Sequence, residues 1–330
     1  MKIRRAAVVV VAALAMFLTA CSGAGSSDSD DSTSGTRAVG TFPQTVTTAF
    51  GDVTINEAPK RVVALGWGDA ETALALGVQP VGASDWLGFG GEGVGPWAEG
   101  MYDTAPTIIG TMEPSYEQIA SLEPDLILDV NSSGDQDRYN RLSQIATTVG
   151  IPEGGATYMA TMDQQVTMIA TALGQPDKAK ELLEGVDSAY QKVADAHSQW
   201  AGKTVTVATR TSQGWGAYVE GDQRVDALKR LGFAQNPTIA AMSPAEGAYS
   251  VSISSEQLDS FNADLIVAFP IFIDASQITD DAQWKELSTV SAGHSVVIDE
   301  DTSNAFSIGS VLATDYLLEH LVPQLEQATA

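Results

Sequence analysis

The sequence of 330 residues is poor in the side chains that bind metals or form disulfides. Its only cysteine is Cys21, so a disulfide within the chain is excluded. It has three histidines, His197, His294 and His320, which the predicted elements scatter over a helix, a turn and the C-terminal helix. A site for bare zinc or manganese needs several converging ligands. We therefore expect no metal site and no resident cofactor.

Positive charge is also scarce. The chain has 17 Lys and Arg against 42 Asp and Glu, which gives a formal net charge of −25. Such a surface repels phosphate backbones, so nucleic acid is excluded as a partner. A secreted hydrolase is the rival class, but no G-x-S-x-G segment occurs and no histidine has an acid–base setting. We expect no enzymatic activity.

The longest apolar run lies at the N-terminus and ends at the cysteine. The segment AAVVVVAALAMFLTA follows a basic start and directly precedes Cys21. A bilayer span needs about 20 residues, so this run fits a secretory signal peptide better. Residues 1–20 are therefore predicted to be a signal peptide. The Ser-, Gly- and Asp-rich residues 21–45 are predicted to be a flexible tether.

The sequence LTAC around Cys21 resembles the lipobox of bacterial lipoproteins. That resemblance implies that the Cys21 thiol is lipidated and that Cys21 becomes the mature N-terminus. Acyl chains contribute about 0.8 kcal/mol per buried methylene. We therefore expect a protein anchored to the extracytoplasmic face of the cell membrane, with no second apolar run to span it.

Strand and helix patterns alternate twice beyond the tether, which is typical of parallel α/β layers. We predict an N-terminal α/β lobe at 46–160, inter-lobe helices at 161–201 and a C-terminal α/β lobe at 202–330. EQIASLEPDLIL (Glu117–Leu128) and EQLDSFNADLIV (Glu256–Val267) share six of twelve residues. The predicted fold class is therefore α/β, with two Rossmann-like lobes of similar topology joined by a single long rigid helix.

Local patterns predict three particular elements. Residues 46–55 alternate around a Gly-Asp turn, as a β-hairpin does. An apolar stripe from Pro176 to Trp200 predicts one helix that ends at Gly202 and is roughly 35 Å long. SSEQLDSFNA, at 254–263, is also predicted to be helical.

Three segments, PKRVVAL, ETALALGVQPVGAS and SYEQIASLEPDLIL, are very similar to substrate-binding proteins of ABC importers for iron-siderophores, haem and cobalamin. The resemblance covers residues 46 to 330. It implies a helical-backbone periplasmic-binding-protein fold that binds its ligand between the lobes and delivers it to an ABC permease and its ATPase. It also implies that Glu117 and Glu256, one on each lobe, dock onto the permease. We expect a monomer.

Strand-end loops of both predicted lobes are rich in aromatic residues, and ligand sites in such folds lie beyond the carboxyl ends of strands. Loops seldom bury several aromatic side chains, so these predict the lining of a cleft. Arg210 and Arg224 are the predicted cations of this cleft. The predicted ligand-binding residues are Trp67, Trp86, Phe89, Trp97, Arg210, Trp215, Tyr218, Arg224, Phe272 and Phe306.

The balance of charges in the predicted cleft narrows the class of ligand. Triscatecholates are polyanions that need clustered Arg or Lys, whereas the two predicted cleft cations face several acids. A nearly neutral ferric hydroxamate siderophore fits this balance better. A haem receptor, using Tyr102, Tyr218 or Tyr249, or a cobalamin receptor of the same fold stays open, as does a surface lipoprotein without a transport role.

Overall fold

A computed structural model describes residues 40–245 and 248–330, all of which belong to one compact unit. Within these ranges no helix is long and apolar enough to cross a membrane. Cys21, the signal peptide and most of the 21–45 segment lie outside the described residues. Lipidation and the tether therefore stay predictions.

Strands and helices alternate along the described chain. The strands are β1 (Gln44–Thr48), β2 (Gly51–Ile55), β3 (Val62–Ala64), β4 (Gly82–Ser84), β5 (Thr107–Ile109), β6 (Leu126–Leu128), β7 (Thr147–Val149), β8 (Thr204–Thr211), β9 (Gly214–Tyr218), β10 (Ala234–Gln235), β11 (Ser250–Ile253), β12 (Leu265–Pro270) and β13 (Ser295–Val297). The α-helices are α1 (Asp69–Ala75), α2 (Tyr116–Ser121), α3 (Gln136–Ser143), α4 (Met162–Ala172), α5 (Pro176–Ala196), α6 (Gln223–Arg230), α7 (Pro237–Ala240), α8 (Ser276–Thr279), α9 (Ala282–Glu286), α10 (Ser288–Ser291), α11 (Glu300–Ile308) and α12 (Ala313–Ala328). Short 3₁₀ helices occupy Pro96–Ala98, Ser198–Trp200 and Ser255–Phe261.

The first lobe is built on a parallel sheet with strand order β5-β4-β3-β6-β7. The chain reverses its winding direction between β3 and β6, and the carboxyl ends of these strands open a crevice there. Beside this sheet, β1 and β2 pair as an antiparallel hairpin whose turn is Ala49-Phe50, because Gly51 already pairs with Thr48; the predicted Gly-Asp turn lies inside β2. The predicted hairpin is thus present.

The second lobe has a mixed sheet with strand order β11-β9-β8-β12-β13, and β10 pairs with the start of β8. Strands β8, β12 and β13 are parallel, whereas β9 runs antiparallel to both of its neighbours, β8 and β11. The repeated EQ segments lead into β6 and β12, and each of these strands lies beside the first strand of its lobe. The predicted α/β fold with two similar lobes is confirmed, whereas the residue boundaries of the lobes stay a prediction.

Two helix predictions need correction. The long helix α5 ends at Ala196, because the backbone of His197 leaves the helical region and a 3₁₀ turn follows. Its 21 residues span about 31 Å. The segment at Ser255–Phe261 is a 3₁₀ helix rather than an α-helix.

Helix α5 links the lobes by contributing to both hydrophobic cores. Leu182 and Leu183 pack against the core of the first lobe, whereas Val186 and Tyr190 belong to the core of the second. Gly185 lies between these pairs and is exposed, and a Cβ added there would touch nothing. Each half of one continuous helix is therefore fixed to a different lobe, which makes α5 a rigid connector.

Candidate functional site

Two hydrogen bonds and one close approach hold the two lobes against each other near the carboxyl ends of the first-lobe strands. The Trp67 indole N–H donates to the Ser307 carbonyl at 2.9 Å, and the Ser310 hydroxyl donates to the Glu71 carboxylate. A Cβ on Gly221 would lie 3.3 Å from the terminal methyl group of Met159. The cleft between the lobes is therefore bounded by direct side-chain and backbone contacts.

Aromatic rings line up in two series, one on each lobe, which together we call the aromatic arc. Within each series neighbouring ring centroids lie 5.4–6.3 Å apart, from Trp67 to Tyr158 on the first lobe and from Tyr249 to Phe306 on the second. Burial raises the pKa of Tyr158, and Tyr249 adds to the rise. In order, the arc comprises Trp67, Trp86, Tyr158, Tyr249, Tyr218, Phe269 and Phe306.

Four predicted ligand residues lie in the aromatic arc, at two depths. Trp67 and Trp86 are half-buried, and their indole N–H groups donate to backbone carbonyls, which fixes the rings. Tyr218 and Phe306 are 3% and 1% exposed, so they support the arc from behind. Tyr249 is 37% exposed, and its ring is the most accessible in the second-lobe half of the arc.

Arg224, which was predicted to be a cleft cation, is buried and neutralised by Asp222. Its Nε and Nη2 donate to the two carboxylate oxygens at 2.8 and 2.6 Å. The guanidinium lies 3.7 Å from the centroid of the Tyr218 ring. Burial acts to lower the pKa of Arg224, but the attraction of Asp222 outweighs this and raises it. Arg224 therefore keeps its charge and is paired with Asp222 beside the Tyr218 ring of the arc.

The first lobe has a second pair of this kind, which the sequence analysis missed. Arg138 donates from Nη2 to Asp129 at 2.7 Å, and both side chains are almost completely buried. Its Nη1 donates to the carbonyl of Thr111 at 3.1 Å. Arg138 also acts to lower the pKa of Tyr158, against the larger effect of burial, so the pair lies close to the arc.

Arg210 differs from these two arginines because no carboxylate in the described ranges pairs with it. It lies at the carboxyl end of β8, and its buried Nε has no hydrogen-bond partner among the described residues. The guanidinium carbon lies 5.1 Å from the centroid of the Trp215 ring. Arg210 therefore remains available to an acceptor group on a ligand.

Trp215 does not line the cleft surface. It is 3% exposed, stacks on Trp284 at 5.4 Å and contacts Phe261 edge-on at 5.9 Å. The prediction of direct ligand contact is corrected because alternation along β9 turns this ring into the core of the second lobe. Trp215 supports Arg210 from below.

Phe89 and Trp97 are also held away from the aromatic arc. The Trp97 indole N–H donates to Glu71 at 2.8 Å, and its ring lies 5.3 Å from Tyr316 on α12. Phe89 contacts the Trp97 ring edge-on, and its loop is tied down by N–H donation to the Asp85 carboxylate at 3.0 Å. These two rings brace the first lobe against α12 of the second.

Phe272, the last predicted ligand residue, follows β12 and is 92% exposed. It lies next to Ile271, whose N–H donates to the Arg210 carbonyl at 2.9 Å. On the first lobe, Met112 is 66% exposed, and its sulfur accepts a hydrogen bond from the Tyr158 hydroxyl at 3.4 Å. Each lobe therefore presents an exposed apolar side chain.

Two buried carboxylates stand behind the arc. Asp69 is 0% exposed and accepts from the Val130 N–H at 2.8 Å and from Gln165 at 2.6 Å. Burial raises the pKa of Asp69 to about 7, although these hydrogen bonds oppose the rise. Burial also raises the pKa of Glu71.

Each of the three histidines in the described chain has a different partner. His197 approaches Glu326 at 3.1 Å, while His294 and His320 each bond a backbone carbonyl through Nδ1. Tyr102, one of the predicted haem ligands, is 6% exposed and packs in a small core cluster. Within the described ranges no three His, Cys, Asp or Glu side chains are grouped to hold a metal ion.

A cavity of about 460 Å³ lies between the start of α4 and helices α5, α6, α11 and α12, and its lining includes Phe306 of the arc and the lobe-boundary residues Gly221 and Ser310. Its two cations are already paired, Lys229 with Glu220 and Arg230 with Asp187. Its lining comes from helices and their connections and lacks the exposed rings of the arc. We therefore place the candidate site at the arc.

The two glutamates predicted to dock onto a permease occupy matching positions. Glu117 lies in the first turn of α2, and Glu256 lies in the first turn of the 3₁₀ helix that precedes β12. Both are exposed, and neither is ion-paired within the described ranges. These matched positions are compatible with docking, which stays a prediction.

Comparison with known proteins gives a consistent result. Residues 62–302 match the family model described as periplasmic binding protein. The chain is 29% identical over 322 residues to the probable siderophore-binding lipoprotein YfiY of Bacillus subtilis, covering 93% of each chain. It is 30% identical over 300 residues to the iron(3+)-hydroxamate-binding protein FhuD of the same organism, covering 87% of this chain and 86% of that one. A periplasmic solute binding protein structure from Mycobacterium smegmatis superposes with a TM-score of 0.76 at 27% identity, covering 87% of this chain and 99% of that one.

Proposed function

This chain belongs to the periplasmic binding protein family, and from that premise we propose that it is a lipid-anchored receptor that binds a ferric hydroxamate siderophore and delivers it to an ABC permease. Its relatives are substrate-binding proteins of ABC transporters rather than enzymes, in agreement with the predicted absence of catalysis. The ligand class, the anchor and the docking partner form the proposal.

The proposed ligand class is supported by the pairing of the arginines that lie beside the aromatic arc. Arg138 and Arg224 are each neutralised by a buried aspartate, so neither offers a free positive charge. A ferric triscatecholate carries several negative charges and would need such charges. Rings with apolar faces suit the methylene arms of a nearly neutral hydroxamate chelate.

Arg210 supplies the polar contact in this proposal. Its guanidinium is held over Trp215 without a carboxylate partner in the described ranges. An oxygen-rich iron centre could accept a charge-assisted hydrogen bond from it, which is worth about 1.5–3 kcal/mol. Trp67, Trp86 and Tyr249 would then surround the organic part of the chelate.

Delivery and anchoring complete the proposed role. Exposed Glu117 and Glu256, one on each lobe, are placed to meet cationic residues of a permease, whose ATPase would drive uptake. Cys21 would hold the receptor at the extracytoplasmic face of the membrane. A haem receptor finds less support, because Tyr102 and Tyr218 are buried and only Tyr249 of the three predicted haem tyrosines is exposed.

Titration by tryptophan fluorescence quenching tests the ligand class with ferrichrome, ferric citrate and a ferric triscatecholate. We expect ferrichrome to bind and the triscatecholate to bind weakly or not at all. Arg210→Ala should weaken ferrichrome binding roughly ten- to a hundredfold.

Arg141→Ala is the matched control, because Arg141 also lies over an aromatic ring, Tyr116 at 3.5 Å, but it is exposed on α3 and Tyr116 is not a ring of the arc. It should leave affinity unchanged. Tight triscatecholate binding without ferrichrome binding would disprove the ligand class and leave the receptor role intact. An Arg210→Ala protein with a lowered melting temperature and normal affinity would show that the arginine is structural.

A further inference from the structure

Phe272 combines two unusual features at the edge of the proposed site. Its side chain is 92% exposed, whereas large exposed apolar side chains commonly mark binding surfaces. It also lies beyond Pro270, which pairs with Arg210 between β12 and β8. Phe272 therefore lies two residues along the chain from Pro270, the strand partner of the unpaired cation Arg210.

The second unusual feature of Phe272 is its backbone conformation. Among the described residues other than glycine, Glu123, Tyr158 and Phe272 have positive φ angles, of 46°, 54° and 54°. Glu123 follows the last turn of α2, where a left-handed residue commonly ends a helix. Tyr158 and Phe272 lie in loops instead, one on each lobe, and bulky residues adopt this conformation only under strain.

Only one of these two strained residues is held in place by contacts of its own. The Tyr158 N–H donates to the Ser132 carbonyl at 2.9 Å, and its ring contacts Trp86 edge-on. Within the described ranges, the Phe272 N–H donates to no carbonyl and its ring stacks on no other ring. Phe272 makes no such contact itself and is held in the left-handed region through its neighbours: the Ile271 N–H donates to the Arg210 carbonyl at 2.9 Å, and the Asp274 carboxylate accepts from the Ser276 N–H at 2.8 Å. A ligand at Arg210 that shifts this loop would therefore release the strain at Phe272.

We infer that Phe272 is a cap: on the premise that the cleft binds a ferric chelate, its backbone leaves the left-handed region and its ring closes over the ligand. Strain present in the free protein and absent in the complex then strengthens binding. A left-handed residue with a Cβ is disfavoured by a factor of roughly five to thirty relative to glycine, which is equivalent to about 1–2 kcal/mol.

Phe272→Ala and Phe272→Gly separate the ring from the backbone when titrated with ferrichrome. Alanine lacks the ring but keeps the strain of the free state, so it should bind about two- to tenfold more weakly than wild type. Glycine lacks both, so it should bind roughly five- to thirtyfold more weakly than the alanine variant.

Glu123→Ala and Glu123→Gly provide the control, because this left-handed position lies at the end of α2, remote from the arc. Their affinities should be equal. Equal affinities of the two Phe272 variants would overturn the backbone change, and an alanine variant as tight as wild type would overturn the ring contact. Failure of wild type to bind any ferric chelate would instead overturn the proposed function, and the cap with it.

Discussion

Asp69 should make the stability of this protein fall as the pH rises from acid to neutral. Its carboxyl group is fully buried, and burial raises its pKa from the ordinary 3.8 to about 7. Between these values the folded state keeps a proton that the unfolded chain releases. Each pH unit in this window lowers the free energy of unfolding by about 1.4 kcal/mol, so the total loss is about 4 kcal/mol.

Asp69→Asn removes this dependence with little change of shape. The amide can accept from the Val130 N–H, but it cannot also accept from Gln165, so one hydrogen bond worth about 1 kcal/mol is lost. The variant should therefore be about 0.5 kcal/mol less stable than wild type at pH 4, where wild type has already begun to lose stability. It should be about 3 kcal/mol more stable at pH 8, and the two curves should cross near pH 4.5.

Urea unfolding of both proteins at pH 4, 5, 6, 7 and 8 measures this difference. Salt at 0.5 M screens the repulsion within the acidic chain, which itself rises with pH. Taking the difference between the two proteins cancels the contribution of every other titrating group, including Glu71, to the pH dependence. A wild-type-minus-variant difference that stays constant from pH 4 to pH 8 would refute the raised pKa of Asp69.

Two further predictions concern partners. Cys21→Ala should move the protein from the membrane fraction to the soluble fraction, and an equally membrane-bound variant would place the anchor elsewhere. Replacing both Glu117 and Glu256 with Arg should abolish uptake by cells while ferrichrome affinity stays unchanged, because both side chains are exposed and lie outside the arc. Weakened affinity with normal permease binding would show that these glutamates serve the ligand site or the fold.

Local sequence patterns were sufficient to predict the order of elements, because short buried strands and capped helices each depend on neighbouring residues. Ser115 illustrates this: its side chain accepts from the N–H of Gln118, three residues further along the chain, and this local contact begins α2. The predicted end of α5 was wrong because the apolar stripe continues as far as Trp200. The Trp200 ring is buried, but the residue lies in a 3₁₀ turn beyond the α-helix.

Site residues were harder to predict because burial depends on which face of an element is turned inward. Trp215 and Trp97 follow strand ends, as Trp67 does, yet the first is in the core and the second contacts α12. Asp129 could have been noticed as a charged residue directly after the buried strand β6. Its partner Arg138 could not, because only the fold brings α3 over that strand end.

Helix α5 constrains how the two halves of such a receptor can be recombined. A cut at either edge of the helix would give one lobe a foreign set of side chains, since Leu183 packs against one core and Val186 belongs to the other. Gly185, between them, has an exposed surface free of neighbours. A crossover within the helix at this glycine would give each parental lobe its own packing partners, so chimaeras of related receptors should be joined there.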